Sequence, residues 1–114
     1  MALSVRFEGE VAILGNFGGL LNDPRHFDAV GDLRALLDEG ARDFVFELGG
    51  VREMGPTALG LLVTLSREIR KAGGEVVLAR MSRATEKFLE EMRMDDEWDT
   101  FDGLAEAKAS FRRD

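Results

Sequence analysis

The segment Gly55-Pro56-Thr57 opens a run, Ala58-Leu59-Gly60-Leu61-Leu62, with helical spacing, and it follows the short apolar stretch Phe44-Val45-Phe46-Glu47-Leu48. A proline suits the first helical position. The hydroxyl beside it places Thr57 among unpaired amides at the positive end of a helix, where a phosphate or another anion is favoured. The competing reading is that Thr57 fills the first turn and holds nothing. Gly15-Asn16-Phe17-Gly18-Gly19 lies between a strand-like and a helix-like stretch. It has neither the G-x-G-x-x-G spacing of a dinucleotide loop nor a Walker-type lysine, so its glycines read as a turn that needs positive φ. His26 stands near Asp23 and Asp28, where a carboxylate could orient a general base; the plainer reading is a surface histidine. Asp95, Asp96, Glu97, Asp99 and Asp102 form an acidic cluster. It lacks the alternating spacing and the glycine of a calcium loop, so it reads as solvated. Trp98 reads as an anchor closing one end of a core rather than as a ligand platform. These residues assemble no nucleophile, base and oxyanion hole, which speaks against an enzyme, and they imply no metal and no cofactor.

Composition narrows the partners. With 22 acidic against 15 basic residues the formal net charge is -7, so nucleic acid and anionic membrane surfaces would be approached against a repulsive field. The chain has no cysteine, which excludes disulfides, thiolate nucleophiles and cysteine-ligated metal centres. No apolar run reaches the ~18 residues of a membrane span, and the first residues lack the basic-then-apolar order of a leader, so the expectation is a cytoplasmic protein without membrane insertion. At 114 residues the chain reads as a single domain over 1–114.

The elements that must position these residues are legible from periodicity. Residues 4–7 and 10–15 read as strands of an opening hairpin, followed by the glycine-rich loop at 15–22. Asp23-Pro24 suits a helix start, and Phe27, Val30, Leu33, Leu36 and Leu37 form one apolar side of that helix, closed by Gly40. Residues 44–48 read as a central buried strand. A helix from Pro56 to Gly73-Gly74 follows, with Ala58, Leu61, Leu62, Leu65 and Ile69 inward. Glu75-Val76-Val77-Leu78-Ala79 is the next strand, and Ser82 caps a helix carrying Ala84, Phe88, Leu89 and Met92. Residues 97–100 read as a last short strand, and a helix carrying Leu104, Ala107 and Phe111 begins near 100–102. The fold class is α/β: a small mixed sheet of four or five strands, opened by a hairpin and packed with about four helices.

Strand, short loop, helix start, Leu59-Gly60-Leu61-Leu62, Gly73-Gly74, Val76-Val77-Leu78 and Ser82 together resemble the STAS domain of bacterial anti-sigma factor antagonists, over nearly the whole chain. The resemblance implies a non-enzymatic interaction module that binds an anti-sigma factor or a related serine kinase-like regulator. It also implies a switch by phosphorylation of a hydroxyl at the start of the second main helix, within a motif that reads Asp-Ser-Ser/Thr-Gly-Leu-Gly. Laid on this chain, the motif's Asp falls at Gly55, its phosphoacceptor at Pro56, the next hydroxyl at Thr57 and its first Gly at Ala58; Thr57, Leu59 and Gly60 agree. The phosphorylation motif is therefore degenerate, and Thr57 is the remaining candidate acceptor. The expected docking surface comprises Asn16, Phe17, Leu20 and Asp23 in the first loop, and Gly55, Pro56, Thr57 and Leu59 at the helix start, with Ser82 nearby. A second reading is a small-anion or metabolite-sensing regulatory subunit of a transport or signalling complex, resembling STAS domains attached to transport systems.

Overall fold

The computed structural model describes residues 3–20 and 28–111. β1 (Ser4–Glu8) and β2 (Val11–Gly15) pair antiparallel across Gly9-Glu10, with Glu8 opposite Val11 and Ser4 opposite Gly15. β3 (Asp43–Glu47), β4 (Glu75–Ala79) and β5 (Thr100–Phe101) then add in parallel, giving one sheet in the order β1-β2-β3-β4-β5. The helices are α1 (Phe17–Leu20), α2 (Asp28–Asp38), α3 (Pro56–Lys71), α4 (Arg83–Glu91) and α5 (Leu104–Ala109).

Because strand order follows chain order, right-handed crossovers carry α2, α3 and α4 to the same face of the sheet. Alternation along each strand does the sorting. Ala12, Leu14, Phe44, Phe46, Val76 and Leu78 point to the three helices and meet Leu33, Leu62, Leu65, Ile69 and Leu89 in the main core. Ile13, Val45, Val77 and Ala79 point the other way, where α5 lays Ala107 and Leu104 over them with Phe101 and Phe111. Phe44 and Phe46 have no exposed surface, and burial of each such side chain contributes about 1.5–3 kcal/mol.

Polar side chains fasten the helices. Trp98 is buried, and its indole N–H donates to Ser66 Oγ on α3 at 2.8 Å, so the one tryptophan is an anchor whose polar atom is satisfied. Arg34 on α2 donates to the Glu68 carboxylate on α3 from Nη2 (2.5 Å) and Nε (3.1 Å), and this hydrogen bond holds Glu68 below its ordinary pKa. At the end of α3, Gly73 takes φ 87°, and Gly74 N–H donates to the Ile69 carbonyl at 2.9 Å, a left-handed cap that turns the chain into β4.

Several expectations shift. The glycine-rich segment holds a helical turn, α1, so the described residues contain five helices rather than about four. The positive φ there belongs to Asn16 (70°), not to a glycine. Asn tolerates the left-handed region because its short amide can bond locally. The last strand is Thr100–Phe101 rather than 97–100, and α5 starts at Leu104 rather than near 100–102, because Asp102-Gly103 forms the intervening bend. The expected helix start at Asp23-Pro24, with His26 and the apolar Phe27, lies outside the described residues.

Candidate functional site

In an open parallel sheet the loops leaving the carboxyl ends of the strands gather along one edge, where ligands and partners bind. Here that edge carries the turn after β2, the loop 48–55 before α3 and the turn 80–82 before α4. Three contacts tie them into one surface. Gly18 lies so close to the backbone of Gly50 that a Cβ on Gly18 would collide with the Gly50 carbonyl. Ser82 Oγ donates to the Arg52 carbonyl at 2.8 Å. Arg80 Nη1 lies 3.5 Å from Glu47 Oε1, while the same carboxylate accepts from Gly49 N–H at 2.9 Å. Leu48 N–H donates to the Ala79 carbonyl (3.0 Å), and buried Val51 and Met54 root the loop in the main core.

The loop delivers the chain to α3 in an open form. Gly55 is the N-cap, with φ -114° and ψ -177°, and among the described residues no side chain caps the helix. Its carbonyl accepts from Leu59 N–H at 3.1 Å, Pro56 occupies the first turn, and Pro56 and Thr57 are exposed. The first turn has no acidic residue. Exposed amides at a positive helix end, next to an exposed hydroxyl, can accept an anion or a partner's carboxylate or carbonyl.

The sequence-derived residues separate by burial. Asn16, Gly55, Pro56 and Thr57 reach the surface of this edge. Phe17 and Leu59 do not: they are 5% and 7% exposed, and the Phe17 ring packs against Phe46 with centroids 5.2 Å apart. Both belong to the core beneath the surface rather than to a contact face. Ser82 is engaged as the N-cap of α4, accepting from Thr85 N–H at 3.0 Å while holding the Arg52 carbonyl. It clamps two loops together, a task that capping propensity alone did not reveal. Asp23 and the side chain of Leu20 lie outside the described residues. Asp95, Asp96, Glu97, Asp99 and Asp102 are exposed, and among the described residues no group of three carboxylate or imidazole side chains is arranged to hold a metal ion. The sequence reading missed Glu47 and Arg80, and also the approach of Gly18 to Gly50. A charged residue ending a buried strand just before Gly-Gly was the available signal for Glu47.

A family model described as the STAS domain matches residues 28–107. The chain belongs to the STAS domain family. Solved structures agree at the level of fold. A Thermotoga maritima protein assigned as an anti-sigma factor antagonist superposes with a TM-score of 0.82 at 21% identity, covering 97% of this chain and 95% of that one. An anti-sigma factor antagonist (STAS) domain protein of Planctomyces limnophilus gives 0.79 at 21% identity, with 95% and 96% covered. The Bacillus cell fate determinant SpoIIAA, in its phosphorylated form, gives 0.73 at 18% identity, with 97% and 100% covered. No curated protein matches the chain. In this STAS domain, no helix among the described residues is long and apolar enough to cross a membrane.

Proposed function

We propose that this STAS domain is a non-enzymatic interaction module of the anti-sigma factor antagonist type. It docks an anti-sigma factor or a kinase-like regulator through Asn16 and the start of α3, without the usual phosphorylation switch. The observation that carries this reading is the α3 start: half-buried Gly55 and exposed Pro56 and Thr57 stand at the edge where the loops converge, with no capping side chain among the described residues and with Pro56 and Gly55 in place of the family's acceptor and acidic neighbour. Proline has no hydroxyl to phosphorylate, and its fixed φ preorganises the first turn. Binding that needs no modification is then indifferent to ATP.

The test combines the purified chain with a kinase-type anti-sigma factor, with and without ATP, followed by size-exclusion chromatography and intact-mass spectrometry. The expected result is the same complex in both lanes, no phosphate on the native chain, and phosphate at position 56 in the double variant Gly55→Asp/Pro56→Ser. Efficient ATP-dependent modification of Thr57 that releases the partner would show a displaced switch and overturn the reading. The uncapped amides of α3 also keep a second reading open to experiment, a site for a small anionic metabolite. Calorimetric titration with anions and nucleotides separates the two, since heat from a small molecule supports the second.

A further inference from the structure

β1 is an edge strand, and among the described residues no strand pairs with its outer side. The hairpin loop is two residues long and closes on Glu8 opposite Val11. In such a hairpin the closing pair exchanges both backbone hydrogen bonds, and the pairs alternate from there. Glu8, Arg6 and Ser4 therefore bond inward to β2, while Val5 and Phe7 turn their N–H and C=O groups to the open edge. Phe7 is 48% exposed, one of two large apolar side chains left so on the described surface, the other being Met92 at 49%. An edge with free amides beside an exposed aromatic is a template for another strand.

We propose that β1 pairs antiparallel with β1 of a second copy of this chain, about a two-fold axis that sets Phe7 opposite its own counterpart. The charges select this register. With the axis at Phe7, Arg6 faces Glu8 of the second copy at both ends, on the face that α5 covers, and the strand already holds Arg6 Nη2 against Glu8 Oε2 at 3.0 Å. Opposite charges then alternate around a four-residue ring, joined by Lys108 Nζ at 2.5 Å from Glu8 Oε1. With the axis one residue earlier, Arg6 would face Arg6, a like-charge pair at the closest approach. In the Phe7 register the ladder runs over Arg6–Glu8, and Val5 comes opposite Gly9 of the hairpin turn (φ 62°), which has no side chain to clash and no atom within 4 Å of where a Cβ would stand. On the other face, Phe7 rims a hollow of about 370 Å³ lined also by Gly40, Ala41 and Arg42, on the side from which the second ring would approach. The hairpin turn lies at the opposite end of the parallel strands from the start of α3, so pairing leaves the docking edge free. Two short strands bury a small area and each copy carries -7, so the association is weak.

The cysteine-free chain makes the test direct. In a hydrogen-bonded antiparallel pair the opposed Cα atoms lie about 5.5 Å apart, within disulfide reach. Under mild oxidation Phe7→Cys is expected to cross-link at least about tenfold faster than the equally exposed Met92→Cys, since opposed thiols meet at an effective concentration rather than by collision. Sedimentation equilibrium of the native chain is expected to show mass rising with concentration. Arg6→Glu is expected to weaken association by about tenfold, and the triple change Arg6→Glu/Glu8→Arg/Lys108→Glu to recover it. Circular dichroism of each variant confirms that it is folded. A native chain that stays monomeric at every concentration, or equal cross-linking of the two cysteine variants, would overturn the proposal.

Discussion

α3 and α4 begin at the same edge of the sheet, after consecutive strands, and they begin differently. α4 starts on Ser82, whose hydroxyl satisfies Thr85 N–H and grips the Arg52 carbonyl in the neighbouring loop. α3 starts on Gly55, which has no side chain to offer, and on Pro56, which has no amide to satisfy. The first helix end is closed by its own sequence and committed to holding the fold. The second leaves its amides and Thr57 to the outside. Polar groups that the fold uses are paired within it, and those left open at a rigid edge are available to a partner. Loops 48–55 and 80–82 are bonded to each other and rooted in the core, so the open end is carried on a braced frame.

If α3 is anchored by its body and free at its start, truncation in the body should dominate. Leu62→Ala, at a 1% exposed position, is expected to cost about 2–5 kcal/mol in a denaturant titration. Next comes the support under the edge. Gly18→Ala drives a Cβ into the Gly50 carbonyl and is expected to cost about 1–3 kcal/mol while weakening partner binding, because both loops must shift. Ser82→Ala removes a cap and an interloop bond, and thermal melts are expected to show a loss of about 0.5–2 kcal/mol. At the open end the sign reverses. Thr57→Glu places a carboxylate at a positive helix terminus and is expected to stabilise by about 0.3–1 kcal/mol, yet to weaken partner binding because a docked surface must desolvate the new charge. A Thr57→Glu variant that melts earlier, or binds unchanged, would erase the distinction between the two helix starts.

The smallest effect lies away from both helix starts. Hydrogen bonding from Lys108 lowers the pKa of Glu8, so the carboxylate contributes stability above its ordinary titration range and loses it as pH falls through the lowered folded value. In dilute solution, Glu8→Gln should melt slightly below the native chain near neutral pH, and the difference should vanish in acid.

By itself the sequence determined the frame: the half-alternating strand 4–7, the short apolar strands read at 44–48 (observed at 43–47) and 75–79, the apolar stripes of α2, α3 and α4, the Gly73 cap and the Ser82 cap. These are local matters of periodicity and backbone preference, written within a few neighbours of each residue. The lack of a hydroxyl at Gly55 and Pro56 was equally legible, because it is a property of single positions. Tertiary structure alone decided the rest. Phe17 and Leu59 sit in the same loop and helix start as Asn16 and Thr57, yet packing against Phe46 and the main core turns them inward. Gly18 meets Gly50, and Ser82 meets the Arg52 carbonyl, across separations of about thirty residues that no periodicity spans. The positive φ fell on Asn16 and the glycines beside it served close approach instead, since which residue must bend and which must yield space depends on what the other loops place against them.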